Sequence, residues 1–331
     1  MTRRRHPLLT PVLIILLLAG ALGSVALGTV PLSPARVVAA LTGGGDDVAR
    51  TIILDLRLPR MMLSLMVGAM LGLSGAALQG YLRNPLAEPG VLGASNAAAL
   101  GAVVALYFGL GLVHPLALPL LAIGAAMVAI GLLFLLAGTA ESPLTLILAG
   151  IAVATLAGAG ISLSLNLSPN PFAAMEIMNW LMGSLENRGM DHVMIALPCV
   201  AVGAVLLLAD TRALDALSLG EEGALAMGVD LSRTRLRLML GLAIGVGGAV
   251  AVSGAIGFVG LIVPHLVRPL TDRSPSAVLL PSLLGGAALL TFADIGVRLI
   301  PTTNELKLGV VTALLGVPVF LLHLMRERRL W

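Results

Sequence analysis

The 331-residue sequence is poor in the residue types that soluble enzymes and nucleic-acid binders depend on: it holds one cysteine, one lysine, two tryptophans and two tyrosines. The lone Cys199 allows no internal disulfide and no cysteine metal cluster, and within its apolar segment it reads as a small core residue. The lone Lys307 has no Gly-x-x-x-x-Gly-Lys-Ser/Thr loop around it, so no P-loop cradles nucleotide phosphates and any ATP hydrolysis belongs to another polypeptide. Aromatic residues at 3% offer no stacking platform. Nucleic acid is therefore excluded as a partner, although the pI is near 9.7. There is no Gly-x-Ser-x-Gly elbow and no His-Glu-x-x-His pair, and His6, His114, His192, His265 and His323 lie far apart in sequence. The sequence thus offers no catalytic residue, no metal site and no cofactor site.

What is present is apolar length. With 58% hydrophobic and 11% charged residues and a mean hydropathy of +1.03, the chain cannot hide its apolar surface in one soluble core. A lipid bilayer must be its solvent, and the expected fold is an all-α polytopic membrane helical bundle. Ten crossings are expected, at 8–30, 60–81, 94–113, 115–137, 143–165, 191–209, 237–256, 258–270, 277–298 and 306–325. Nine is the rival count, because the eighth is short and carries Pro264. Met1 to His6, with Arg3, Arg4 and Arg5, resembles a signal-peptide n-region, but no convincing small-residue cleavage site follows, so the first span is read as retained. Ten crossings put both termini on one side. Placing them in the cytoplasm leaves thirteen basic residues at inner ends against seven outside, the expected positive-inside bias. The whole chain, 1–331, is read as one transmembrane domain.

Between the first two spans, Ser33-Pro34 offers a helix cap ahead of Val37, Val38 and Leu41. A second apolar set, Val48, Ile52, Ile53 and Leu56, follows Asp46 and Asp47; two short helices at the outer surface are expected. Another outer segment, 171–183, carries Trp180, a residue suited to the headgroup level. Small residues recur every fourth position at Gly68, Gly72, Ala76 and Gly80, and at Gly150, Ala154, Gly158 and Ser162, so helices should approach closely there.

Three arginines are assigned to the outer face by topology. Arg57 and Arg60 open the second span, and Arg298 sits four residues after Asp294, on one helix face with it. If they meet in space, they form a patch that seeks carboxylates on a soluble partner. On the inner side, the longest polar interruption runs from Ala209 to Arg237. There Ser218 is expected to cap a short helix with Glu221 and Glu222 in its first turn, Gly228 to stop it, and Asp230 or Ser232 to open the next. A docking knob and a solvated loop are the two readings of that segment.

These motifs occur in order, from Arg57-Leu58-Pro59-Arg60 through Arg83-Asn84-Pro85-Leu86-Ala87 and Trp180-Leu181-Met182-Gly183-Ser184. They continue through Leu219-Gly220 with Met227-Gly228-Val229 to Ser253-Gly254-Ala255-Ile256-Gly257-Phe258-Val259-Gly260, Ala293-Asp294 with Arg298, and Glu305-Leu306. Over roughly residues 50–325 the chain resembles the FecCD-type permease subunits of ABC importers for ferric siderophores, haem and cobalamin. That resemblance implies ten helices, a second copy of the chain around a central path, two cytoplasmic ATP-binding subunits, a periplasmic substrate-binding protein and an inner-membrane location. It assigns Arg57, Arg60 and Arg298 to binding-protein docking, and Ser218, Leu219, Gly220, Glu221, Ala224, Gly228 and Val229 to coupling with the ATPase. It loosely assigns Ser142, Pro143, Leu144, Thr145 and Leu146 to an inner gate. Lys307 stands where the family usually has proline; a snorkelling lysine and a contact with anionic cargo or the binding protein are its two readings. The implied function is import of a metal chelate, with ferric siderophore or haem ahead of cobalamin. A secondary transporter would need midplane acids that the spans lack.

Overall fold

The computed structural model describes residues 6–137, 143–302 and 304–327, and all regular structure among them is helical. In chain order the helices are α1 (Leu9–Ala26), α2 (Pro34–Leu41), α3 (Asp47–Arg50), α4 (Leu58–Tyr81), α5 (Ala94–Tyr107), α6 (Leu110–Val113), α7 (Ala117–Ala137) and α8 (Pro143–Asn166). There follow α9 (Pro171–Leu181), α10 (Met190–Ala209), α11 (Thr211–Leu217), α12 (Glu221–Ala226), α13 (Leu231–Ser253), α14 (Val259–Val267), α15 (Pro275–Leu299) and α16 (Leu308–Glu327). Among the described residues, seven helical stretches are long and apolar enough to cross a membrane: α1, the run from α3 through α4, α7, α8, α10, α13 and α15. Shorter apolar helices stand at the three remaining expected spans: α5, α14 and α16. At 1.5 Å per residue the 14-residue α5 reaches only about 21 Å. It stops where Gly109 turns left-handed, with φ +63°.

The expected outer helices differ in kind. Ser33 caps α2 as expected, its Oγ accepting from the Arg36 amide. The second is not a separate surface helix. Asp46 caps α3 by accepting from the Ala49 amide at 2.7 Å, and the chain then runs through a π-helical stretch, Thr51–Arg57, straight into α4. Pro59 supplies the reason: it has no amide hydrogen, and its ring crowds the carbonyl four residues back. The ladder widens accordingly, and the Leu58 amide bonds Ile53 O, five residues back. Trp180 closes α9 near its C-terminal end. It is half-buried and packs against the core, with its indole Nε1 enclosed.

The interior is built on α4 and α13, whose apolar windows are 72% and 78% buried, whereas α1, α8 and α10 are 22–28% buried and face outward. α4 crosses α15 backbone to backbone. A Cβ on Gly72 would overlap the Ser282 carbonyl, and one on Gly286 would overlap the Gly68 carbonyl. Without a hydrophobic drive between helices in lipid, this close approach supplies much of the association through dispersion and weak hydrogen bonds. The α8 stripe behaves differently. Gly150 meets Val91 and Leu92, but Gly158 faces open space within this chain.

Candidate functional site

Two clusters stand out, one at each end of the α4–α15 pair. At the start of α4, Arg57 is turned into the protein and is only 5% exposed. Its Nη1 donates to Val25 O (3.0 Å) and Ala26 O (2.8 Å), and its Nη2 to Val30 O (2.5 Å). Arg298, at the end of α15, donates from Nη1 to Ser24 O (3.0 Å) and from Nη2 to Ser24 Oγ (2.7 Å). The two guanidiniums therefore satisfy the last carbonyls of α1, where a cation also complements the helix dipole. Asp294 is fully buried between the other contacts. It accepts from Arg60 Nε (2.9 Å) and Nη2 (2.8 Å) and pairs with Arg298 Nε at 3.1 Å. Arg60 also pairs with Glu305 through both terminal nitrogens.

The three arginines expected from sequence thus converge. Together they line a cavity of about 250 Å³ whose other walls include Gly28 to Val30, Leu185 to Arg188 and Glu305. Sequence reasoning missed how far their donors are already spent on carbonyls and carboxylates. It also assigned no docking role to Arg188, although this arginine lies between Gly183 and Gly189 in a short polar break between apolar helices. Lys307 bridges to Glu186 at 2.9 Å, tying the loop after α9 to the start of α16.

The other cluster is the α11–α12 segment. Sequence reasoning did not resolve α11. Its Asp215 latches the segment to the start of α15, accepting from the Ser276 amide (2.9 Å) and hydroxyl (2.6 Å). Ser218 does not cap α12. It is the C-cap residue of α11, and its Oγ donates to Asp215 O at 2.6 Å. The N-cap of α12 is Gly220, at φ +99°, a backbone region closed to side-chain-bearing residues; a serine two positions earlier cannot reach the α12 amides. Gly228 then ends α12 at φ +79°, and Asp230 opens α13 by accepting from the Arg233 amide at 2.9 Å.

Of the expected coupling residues, Ala224 is wholly buried in a cluster with Ala216, Leu217 and Leu231, against which Val229 and Tyr81 both pack. Ala224 and Val229 hold the segment to the body. Ser218 and Leu219 are exposed, Glu221 is half-buried, and the apolar Leu225 and Met227, which the sequence reading did not single out, are exposed as well. Glu221 also lines a cavity of about 30 Å³, water-sized, together with Leu146, Leu217, Ser232 and Arg235. The Arg235 guanidinium lies 4.7 Å from the Phe134 ring centroid, near the end of α7. Among the expected gate residues, Ser142 lies outside the described residues, Pro143 opens α8, Leu144 is exposed, Thr145 is half-buried and Leu146 is buried. Along α15 the anchors of the two clusters, Ser276 and Asp294 with Arg298, lie about 27–33 Å apart, close to the thickness of a bilayer core.

Among the described residues the chain is an all-helical bundle of long apolar helices with a basic cavity at one end and a small-helix knob at the other, an architecture suited to a membrane transport protein. The FecCD transport family model matches residues 13–326. The hemin transport system permease protein HmuU of Yersinia pestis is 39% identical over 326 residues, 96% of this chain and 95% of that protein. The cobalamin import system permease protein BtuC of Halobacterium salinarum is 40% identical over 291 residues, 88% of this chain and 77% of that one. A solved chain from an inward-facing metal-chelate type ABC transporter covers 97% of this chain and all of its own length, with a TM-score of 0.87 and 31% identity. The chain belongs to the FecCD transport family. It is an ABC transporter permease subunit, a multi-pass protein of the inner membrane.

Proposed function

We propose that this chain is the membrane half of an importer for a metal chelate, a ferric siderophore or haem, with cobalamin as the alternative cargo. In this reading two copies enclose the path and two cytoplasmic ATP-binding subunits supply the energy. A periplasmic binding protein delivers substrate at the face carrying Arg57, Arg60 and Arg298. Both termini are cytoplasmic, residues 1–331 form one transmembrane domain with ten crossings, and the chain performs no bond chemistry. The observation that carries the reading is the pairing of a basic cavity and an apolar knob at opposite ends of α4 and α15, which share backbone contacts along their length.

The knob suits an ATPase groove because Leu219, Leu225 and Met227 are exposed while Ala224 anchors the helix from behind. Its neighbour Leu146, in the same small cavity as Leu217 and Glu221, lies one turn into α8. Movement of the knob would therefore bear on the gate segment 142–146, and alternating access follows from tilting two such copies. A test is uptake into vesicles containing the purified complex, with ferric siderophore, haem and cobalamin supplied in turn with the binding protein. ATP-dependent entry of one of them is expected, and Leu225→Asp with Met227→Asp should abolish ATPase association. Active hydrolysis with none of the three moved would overturn the reading, as would uptake that persists without the ATPase.

A further inference from the structure

The outer cavity contains one guanidinium whose hydrogen-bonding capacity is still largely open. Arg57 and Arg298 are committed to the carbonyls of α1, and Arg60 to Asp294 and Glu305. Arg188 lines the same cavity from the Gly183–Gly189 loop. Its Nη1 lies 3.2 Å from His192 Nε2, which must then accept, and its Nε is enclosed without an acceptor. Its surroundings offer little compensating charge. Glu186 is taken by Lys307, and Asp191 is bonded to His192 and largely exposed to solvent. Burial accordingly pulls the Arg188 pKa below its ordinary value, with Asp191 opposing only in part. Four arginines and two glutamates line the cavity, so it is positive and short of acceptors.

We propose that Arg188 is a specificity-determining contact of this permease, receiving a carboxylate from the extracytoplasmic binding protein. The proposal rests on the docking reading above and adds to it which guanidinium takes the incoming acid. Arg57, Arg60 and Arg298 line the same cavity with their donors largely engaged within the chain, while Arg188 keeps its Nη2 group for an Asp or Glu side chain to engage through a charge-assisted N–H···O bond. His192 positions it: by accepting at Nη1, the imidazole holds the guanidinium at the cavity wall. A charge-assisted contact made away from bulk water discriminates strongly between partners, because the wrong partner leaves the arginine buried and unanswered.

The experiment uses the full complex in lipid nanodiscs and the substrate-loaded binding protein that stimulates its ATP hydrolysis. Affinity is measured for wild type, Arg188→Gln, Arg188→Lys and Arg188→Glu over a range of salt concentrations. Arg188→Gln should weaken binding by about tenfold or more and flatten its salt dependence, and Arg188→Lys should recover part of the loss. Arg188→Glu should be rescued by a Lys substitution at one acidic residue of the binding protein, a result that a merely structural arginine would not give. Thermal midpoints of the variants report folding separately. Wild-type affinity and salt dependence in Arg188→Gln would overturn this proposal and leave the docking reading standing. Failure of the wild-type complex to bind any such protein at this face would overturn both.

Discussion

Replacing Asp294 with Asn tests whether the cluster of Arg57, Arg60 and Arg298 is held together from inside. Asp294 is fully buried, and its two oxygens serve Arg60 and Arg298, themselves 11% and 6% exposed at the side chain. At about 3 Å and an effective dielectric near 20, each contact is worth roughly 5 kcal/mol of Coulomb attraction. Relief of the aspartate's own desolvation offsets part of that loss. Asn retains one acceptor but turns an NH2 group toward one of the two guanidiniums. Removing one partner from a buried ionic group costs about 3–5 kcal/mol, because the remaining charges are left unanswered. For a chain of this size that corresponds to a fall in thermal midpoint on the order of 5–10 °C.

The assay is thermal unfolding of the purified complex in detergent, at low and high salt, alongside Arg298→Gln and the double variant. A buried cluster is weakly screened, so the deficit of Asp294→Asn should persist when salt is added. The double variant should lose at least about 1 kcal/mol less than the two single losses combined, since it removes the surplus cation. A midpoint within about 2 °C of wild type for Asp294→Asn would refute the reasoning and return Arg60 and Arg298 to the status of surface charges.

Gly75→Val should abolish assembly of a folded chain, because even a Cβ at this position would overlap the Gly260 carbonyl; recovery of monodisperse, transport-competent protein would count against the crossing of α4 and α14. Glu88, in the loop after α4, has its pKa raised by burial, opposed by a hydrogen bond from the Phe258 amide. The folded chain therefore binds this proton more readily than the unfolded one, and stability declines as pH rises from about 4.5 through the raised value. Glu88→Gln should raise the thermal midpoint at pH 7, with the gain vanishing below about pH 4; an equal gain at both pH values would exclude a titration effect.

The large outlines of this fold are legible in the sequence because lipid imposes one simple rule on the backbone. Long apolar runs must be helical, and glycine and other small residues at four-residue spacing mark where helices meet, as at Gly68 and Gly72. Local chemistry was equally readable at Ser33, Gly228 and Asp230. The misreadings have local causes too. Pro59 widened a helix instead of separating two, so the outer segment at 47–57 fused with α4. Ser218 was a plausible cap by type, but Gly220 alone tolerates the left-handed backbone there. Partner choice was the least visible part. Arg60 meets Asp294 across 234 residues of sequence and Glu305 across 245, and no local pattern states that its charge is already answered. The surplus at Arg188 emerges only when every other guanidinium in the cavity has been matched to its acceptors.

The crossing of α4 and α15 carries a mechanical consequence. Helices whose carbonyls lie against each other's α-carbons, as Gly72 does with Ser282 and Gly286 with Gly68, have no side-chain cushion in which to slide or roll. They behave as a single girder. Force delivered where Asp215 grips Ser276 would reappear at Asp294, some five turns of helix away, as a swing of the whole beam.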